Sequence, residues 1–405
     1  MNAFMTFRRG LVSGLKMSLL VSLPWLTSCL AIAEPSANTP LDAAFSSALE
    51  RFQSEYDFPG ITASYVLPDG SSHSAAAGWA DAEGREPMTP ASRMLAASIG
   101  KTFVAATMVA VAQERNIDLD APVSTWLGRN GWFQRVPNHQ SLTVRQLLNH
   151  TSGLPNHVYL SAFAEAVSQR WAEPGNPFPP EALVRFVLDS KAQFPGGEQW
   201  AYTDTGYILI GLVIEAITGR AYYEEVHDRF LEPLGLTATT ASNKRALQGL
   251  AAGYVADDNP FAFPGKTTDE SGVMKWNPAL EWTGGGLVST SHDLAQWGAA
   301  LFGGDTASGA ILNAMLQSVP IGDDRPGAYY GLGISISRSG PLAPVYGHGG
   351  WIPGYSSSLR HYARSGITIA FQINSDRISH QRLSDIELCL ASLVISGGKD
   401  TDCVP

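Results

Sequence analysis

Two stretches of this chain read as helices buried on nearly every side, and any fold must build a body around them. Ser98 to about Gln113 is long, mostly apolar and Ala-rich, and Asp204 to Thr218 carries Ile208, Leu209, Leu212, Val213 and Ile217 on a helical stripe. Strand patterns lie towards the two ends of the chain. Ile61 to Leu67 is rich in β-branched residues, Pro68-Asp69-Gly70 turns, and a second strand-like stretch leads into Gly78-Trp79, which together predict a hairpin. Late in the chain Leu332, Ile334 and Ile336 alternate, as do Ile367, Ile369, Phe371 and Ile373. Between these lie helical fragments, Val144–His150, Glu181–Leu188 and Ser291–Phe302, separated by Pro/Gly loops. The order predicts an α/β (α+β) fold with a central antiparallel sheet built from both chain ends. Helices flank that sheet, an all-helical lobe is inserted in the middle, and a cleft opens between them.

Composition removes other classes. With 44% hydrophobic residues the chain can bury a core, so disorder is excluded. Three Cys are too few for a disulfide scaffold. The net charge of −10 and the lack of any basic block argue against nucleic acid as a partner.

The first 33 residues read as an export signal. Arg8, Arg9 and Lys16 precede an uncharged apolar run from Met17 to Ala33, and Ala31-Ile32-Ala33 offers a small-residue cleavage site. Leu26-Thr27-Ser28-Cys29 offers a second exit, because it resembles a lipobox in which Cys29 would be acylated to anchor the chain to a membrane. Residues 34–41 read as a leader, 42–398 as one catalytic domain and 399–405 as a tail. A periplasmic or secreted location follows, one in which disulfides persist. Leu383, Ile386, Leu390 and Leu393 place Cys389 on a last helix, where it either pairs with Cys403 or stays a buried thiol.

Some catalytic devices are missing. There is no His-Glu-x-x-His, no Cys-x-x-Cys and no Walker loop, so zinc hydrolysis and nucleotide chemistry have no support, and the lack of a Gly-x-Ser-x-Gly elbow disfavours the α/β-hydrolase route. Ser98-Ile99-Gly100-Lys101 is the candidate nucleophile segment. At a helix start, Ser98 and the Lys three residues later share a face, and the helix dipole favours developing negative charge. The spacing alone is common, recurring at Ser13-Gly14-Leu15-Lys16. An ammonium at the head of an apolar helix is less so, because burying it unpaired costs several kcal/mol. Tyr202 opens the second buried helix and could serve as a general base if Lys101 lowers its pKa from about 10. His348-Gly349-Gly350-Trp351 follows Val345 on an expected inner strand, where two Gly residues would let a substrate backbone come close.

In this order the three elements resemble the serine β-lactamase and penicillin-binding-protein superfamily, in the branch of class C β-lactamases, secreted DD-peptidases and family VIII esterases. Three further segments carry the likeness: Leu147-Leu148-Asn149-His150-Thr151-Ser152-Gly153-Leu154-Pro155, Ile117-Asp118-Leu119-Asp120-Ala121-Pro122-Val123, and Gly284-Gly285-Gly286-Leu287-Val288-Ser289-Thr290. The resemblance implies a β-lactamase/transpeptidase-like fold and acyl-enzyme formation on Ser98, with Lys101 and Tyr202 sharing the proton work and no metal or cofactor called for. His348 would stand where the family has the Lys of its Lys-Thr/Ser-Gly element and assist the leaving group. The backbone N–H groups of Ser98 and Trp351 would form the oxyanion hole, each donor worth roughly 3 kcal/mol.

Two departures bear on the substrate. The family's Tyr-x-Asn is Tyr202-Thr203-Asp204 here, and an ionised Asp only accepts hydrogen bonds. Asp204 would hold Lys101 charged, or meet a substrate amine. Gly349 stands where Thr or Ser would bind the carboxylate of a β-lactam or terminal D-Ala. With Asp204, Gly349 and Gly350 as substrate-contacting positions, hydrolysis of a carboxylic ester or of a D-amino-acid amide or peptide leads. A β-lactamase or DD-carboxypeptidase is the alternative within the enzymes. A cell-wall-binding or penicillin-sensing module without turnover is the alternative of another class.

Overall fold

The computed structural model describes residues 39–170, 175–263, 265–303 and 309–399. The expected export signal with Cys29, most of the leader and Cys403 lie outside these. Cys389 is disulfide-bonded.

The chain enters through helix α1, Pro40–Tyr56, which begins inside the stretch expected as a leader. Its start is written locally: Pro40 occupies the first helical position, and Thr39 and Asp42 cap each other reciprocally, at 2.9 and 3.1 Å. The expected hairpin follows as β1, Gly60–Val66, and β2, Ser72–Asp81. Both buried helices form: α2, Gly100–Arg115, entered through a 3-10 turn at Ala97–Ile99, and α3, Asp204–Thr218. Each stops on a left-handed residue, Asn116 and Gly219. Helix α4, Ser291–Gly303, leads to strands β3 (Ala328–Tyr330), β4 (Ser335–Ser337), β5 (Val345–Ile352), β6 (Tyr355–Tyr362) and β7 (Ile367–Ile373), and α5, His380–Ile395, closes the fold. Leu332 and Ile334 are buried just ahead of β4 rather than within it.

The sheet runs β2-β1-β7-β6-β5-β4-β3, with the two-residue strands Glu86–Pro87 and Val319–Pro320 at its edges. N- and C-terminal strands meet at its centre, where Ile61 pairs with Ile373 and Ala63 with Phe371. All seven residues of β1 are buried because both faces are covered. Ile61, Ala63 and Tyr65 pack with Phe45, Leu49 and Phe52 of α1 and Ile386 and Leu390 of α5. On the other face, Ser64 Oγ meets Ser291 Oγ of α4 at 2.9 Å. Gly298 of α4 lies so close to the sheet that a Cβ there would sit 2.6 Å from Leu359. Among the described residues the inserted lobe is helical except for a small sheet of Met94–Leu95, Leu287–Ser289 and Thr240–Ala241, whose middle strand continues the triple-glycine loop.

Candidate active site

The Ser98 segment is wedged between the triple-glycine loop and the glycines of strand β5. Ala97, the residue before it, has φ +48°, a left-handed conformation that disfavours a side chain. Such strain, on the order of 1–3 kcal/mol, persists only where surroundings enforce it. They do so here: a Cβ on Gly285 would lie 2.4 Å from Ala97 O, and one on Gly350 2.4 Å from Ala96 O. Ser357 Oγ also donates to Ala96 O at 2.9 Å. Gly350 is therefore required by the packing of β5 against the nucleophile segment, and it lines the cavity beside Gly349. Gly349 is the glycine with room beside it, since a Cβ there would meet nothing nearer than 3.8 Å. The same contact carries Trp351 alongside Ser98, with its side chain 44% exposed.

Ser98 Oγ receives two hydrogen bonds, from Lys101 Nζ at 3.1 Å and from Tyr202 Oη at 2.9 Å. Lys101 is fully buried, and its ammonium also donates to Asp204 Oδ1 and Gly284 O, each at 2.5 Å. Asp204 Oδ2 accepts from Asn156 Nδ2 at 3.0 Å, so both its oxygens are taken. Burial alone would raise the Asp204 carboxyl, but the Lys101 charge and these hydrogen bonds hold it below its usual range. Of the two readings open for Asp204, the structure supports the Lys101 counter-ion.

Tyr202 departs from expectation. Lys101 Nζ lies 4.9 Å from its ring, yet the phenol is pushed well above 10, first by burial and then by the Asp204 charge. Asp204 neutralises the ammonium that was expected to lower it. Tyr202 is a phenol donating to Ser98 in this state.

His348 sits beside this group, 6.2 Å from the Tyr202 ring, and both its nitrogens are engaged. Nδ1 lies 2.5 Å from Gly349 O, which can only accept, so Nδ1 carries the hydrogen and Nε2 accepts from Tyr330 Oη at 2.8 Å. Burial, then the Lys101 charge, lowers it to about 3, so the ring is neutral where the family has a cation.

These residues open onto a cavity of about 690 Å³. One wall is aromatic: Phe163, Phe261, Phe263 and Trp276, the last two stacked at 4.8 Å. Four carboxyl groups line it, Asp204, Glu281, Asp376 and Glu387, against one guanidinium among the described lining residues, that of Arg360. Arg360 is already paired with Glu387 at 3.0 Å. Glu281 and the aromatic wall were not found from sequence. The wall comes from three separated segments without a shared period. Glu281 had one signal, an acid just ahead of the buried triple-glycine loop.

Residues 45–389 match the Beta-lactamase family. The chain belongs to that family. Among its relatives, penicillin-binding protein 4* of Bacillus subtilis (strain 168) is 26% identical over 308 residues, 74% of this chain and 64% of that protein. A D-aminopeptidase of Brucella anthropi is 26% identical over 339 residues, 81% of this chain and 59% of that one. The chain thus spans less than two thirds of the length of these curated relatives. Among solved structures, a D-stereospecific amidohydrolase from Streptomyces sp. is 30% identical, superposes with a TM-score of 0.73, and is matched over 86% of this Beta-lactamase-family chain and 98% of its own.

Proposed function

We propose that this chain is a serine hydrolase that forms an acyl-enzyme on Ser98 and hydrolyses amides or peptides of D-amino acids, with simple carboxylic esters as accessible substrates. The observation that carries this reading is the Ser98 hydroxyl held by both Lys101 and Tyr202 at the mouth of the cavity. Ser98 Oγ attacks the carbonyl carbon, and the C–O bond forms as the carbon–nitrogen bond to the leaving amine breaks. The Ser98 proton passes through Tyr202 and Lys101 to that amine, and water then releases the acid. In this reading the backbone N–H groups of Ser98 and Trp351 receive the oxyanion. His348 serves the leaving group only by giving up its bond to Tyr330 or Gly349.

The substrate side of the reading rests on charge. A β-lactam or a D-Ala terminus brings a free carboxylate, and this cavity offers it a neutral His348, no hydroxyl at Gly349, and an Arg360 already neutralised by Glu387. The D-aminopeptidase and the D-stereospecific amidohydrolase among the similar proteins support the amide reading over the β-lactamase one. Side-by-side turnover of D- and L-phenylalanine p-nitroanilide, p-nitrophenyl butyrate and nitrocefin tests it. D-anilide and ester turnover with little nitrocefin hydrolysis is expected; efficient nitrocefin hydrolysis alone contradicts it.

Because the Tyr202 phenol is pushed well above its ordinary value of 10, it holds its proton near neutral pH, and the form in which it acts as a base has lost that proton. Activity on the ester is therefore expected to rise with pH on the alkaline side of neutrality. Asp204→Asn removes a charge that raises the Tyr202 phenol. Its kcat/KM profile is expected to move towards lower pH by about one unit or more, read in a pH–rate series. An unmoved profile would show that Asp204 does not govern the base.

We also read residues 1–33 as an export signal. Fractionation of cells making the wild type or Cys29→Ala is expected to find both outside the cytoplasm, and wild type but not the variant in the membrane if Cys29 is acylated. Retention in the cytoplasm contradicts export.

A further inference from the structure

The chemistry above leaves two lining carboxyls unused, Asp376, whose Oδ1 accepts from Ala256 N at 2.7 Å, and Glu281, which is the one that shares the triple-glycine loop with the Lys101–Asp204 pair. Glu281 lines the cavity next to the nucleophile, and its Oε2 is shut off from solvent with no hydrogen-bond partner among the described residues. Its other oxygen borders the triple-glycine loop, where a Cβ on Gly285 would come within 2.9 Å of Oε1. Asp204 lies against the same loop, 3.7 Å from the Cβ position of Gly284. The ionisable groups whose fields are felt at Glu281 or which feel its own are Lys101, Asp204, Tyr202 and Tyr223.

The charges at this end of the cavity already balance without Glu281. Lys101 and Asp204 neutralise each other, both Asp204 oxygens are occupied, and no further cation among the described residues faces Glu281. Burial, with Lys101 opposing and Asp204 adding to it, lifts the Glu281 carboxyl to about 8. Near neutral pH it is therefore mostly the neutral acid, and a cation placed against it would stabilise its ionised form. The adjacent aromatic wall accepts both an apolar side chain and the field of a cation.

We propose that Glu281 receives the ammonium group of the substrate, so that this site takes a free-amine amino-acid amide or ester with a bulky apolar side chain in preference to its N-acylated counterpart. The proposal rests on Ser98 as nucleophile and names the substrate class for it. Binding converts the Glu281 acid to a carboxylate, releases its proton to water, and places the carboxylate against the ammonium. Glu281 is a specificity residue and takes no part in bond making.

The test uses inhibition of p-nitrophenyl butyrate hydrolysis by D-phenylalaninol and by N-acetyl-D-phenylalaninol, so it needs no amide turnover. The free amine is expected to compete more tightly than the acetylated form. Its inhibition constant is expected to fall by about tenfold per pH unit between about pH 6 and about pH 8, the linkage for one released proton. Glu281→Gln is expected to weaken the free amine by about 10- to 100-fold relative to the acetylated probe and to abolish that pH dependence. Equal inhibition of wild type by both probes overturns the proposal, as does a Glu281→Gln variant that keeps the discrimination. The wild-type comparison stands even if the variant does not fold. Absent D-anilide turnover with intact amine discrimination would count against the amide reading and leave this inference standing.

Discussion

Replacing Ser98 by alanine is expected to lower kcat for p-nitrophenyl butyrate by about a thousandfold or more, with the folded structure intact. The side chain is only half-buried and forms no part of the hydrophobic core, so its loss removes two hydrogen bonds and no packing. Lys101 keeps Asp204 and Gly284, and Tyr202 keeps its ring contacts with His150 and Tyr330. Unfolding by urea should therefore change little while turnover disappears. Turnover of the Ser98→Ala protein at the parent rate would remove Ser98 from the mechanism.

The second large effect is on stability. Lys101→Met leaves the Asp204 carboxylate enclosed without its ammonium, and breaking a buried pair in this way costs about 3–5 kcal/mol. The pH sign follows from the lowered Asp204 carboxyl. In the wild type its pairing stabilises the fold above the unfolded carboxylate value near 3.9, and this contribution is lost as pH falls through the lower folded value. The gap between wild type and Lys101→Met should thus be widest near neutral pH and narrow towards about pH 4. Adding Asp204→Asn removes the stranded charge, so the double variant should recover most of the stability and none of the activity. Urea unfolding of the four proteins makes the cycle. A single variant as stable as the parent at neutral pH would mean that water or a rearranged neighbour already solvates Asp204.

What the sequence made legible follows from where its scarce charges stand. Lys101 and Asp204 head apolar helices, a placement that needs a reason, and the structure joins them directly. The alternating Ile367–Ile373 and the Pro68–Gly70 turn were visible because a period of two and a turn are local. Helix α1 was equally local, with a Thr39-Pro40 start and Phe45, Ala48, Leu49 and Phe52 on one face, but its first turn reads as a polar leader when the cap is overlooked. The electrostatics were not local at all. The upward shift of Tyr202, the neutrality of His348 and the idle carboxyl of Glu281 each depend on enclosure by segments far away in sequence. The two glycines after His348 look alike as letters and both line the cavity, and only the packing of Ala96–Ala97 shows that the fold itself needs the second.

The central claim, a turned-over acyl-enzyme on Ser98, is tested most directly by rapid-quench intact-mass spectrometry during ester hydrolysis. The expected result is a mass increase of one acyl group that maps to Ser98, forms before steady state and vanishes when substrate is exhausted. No adduct during turnover, an adduct on another residue, or one on Ser98 that never decays would contradict it, the last pointing instead to a binding module.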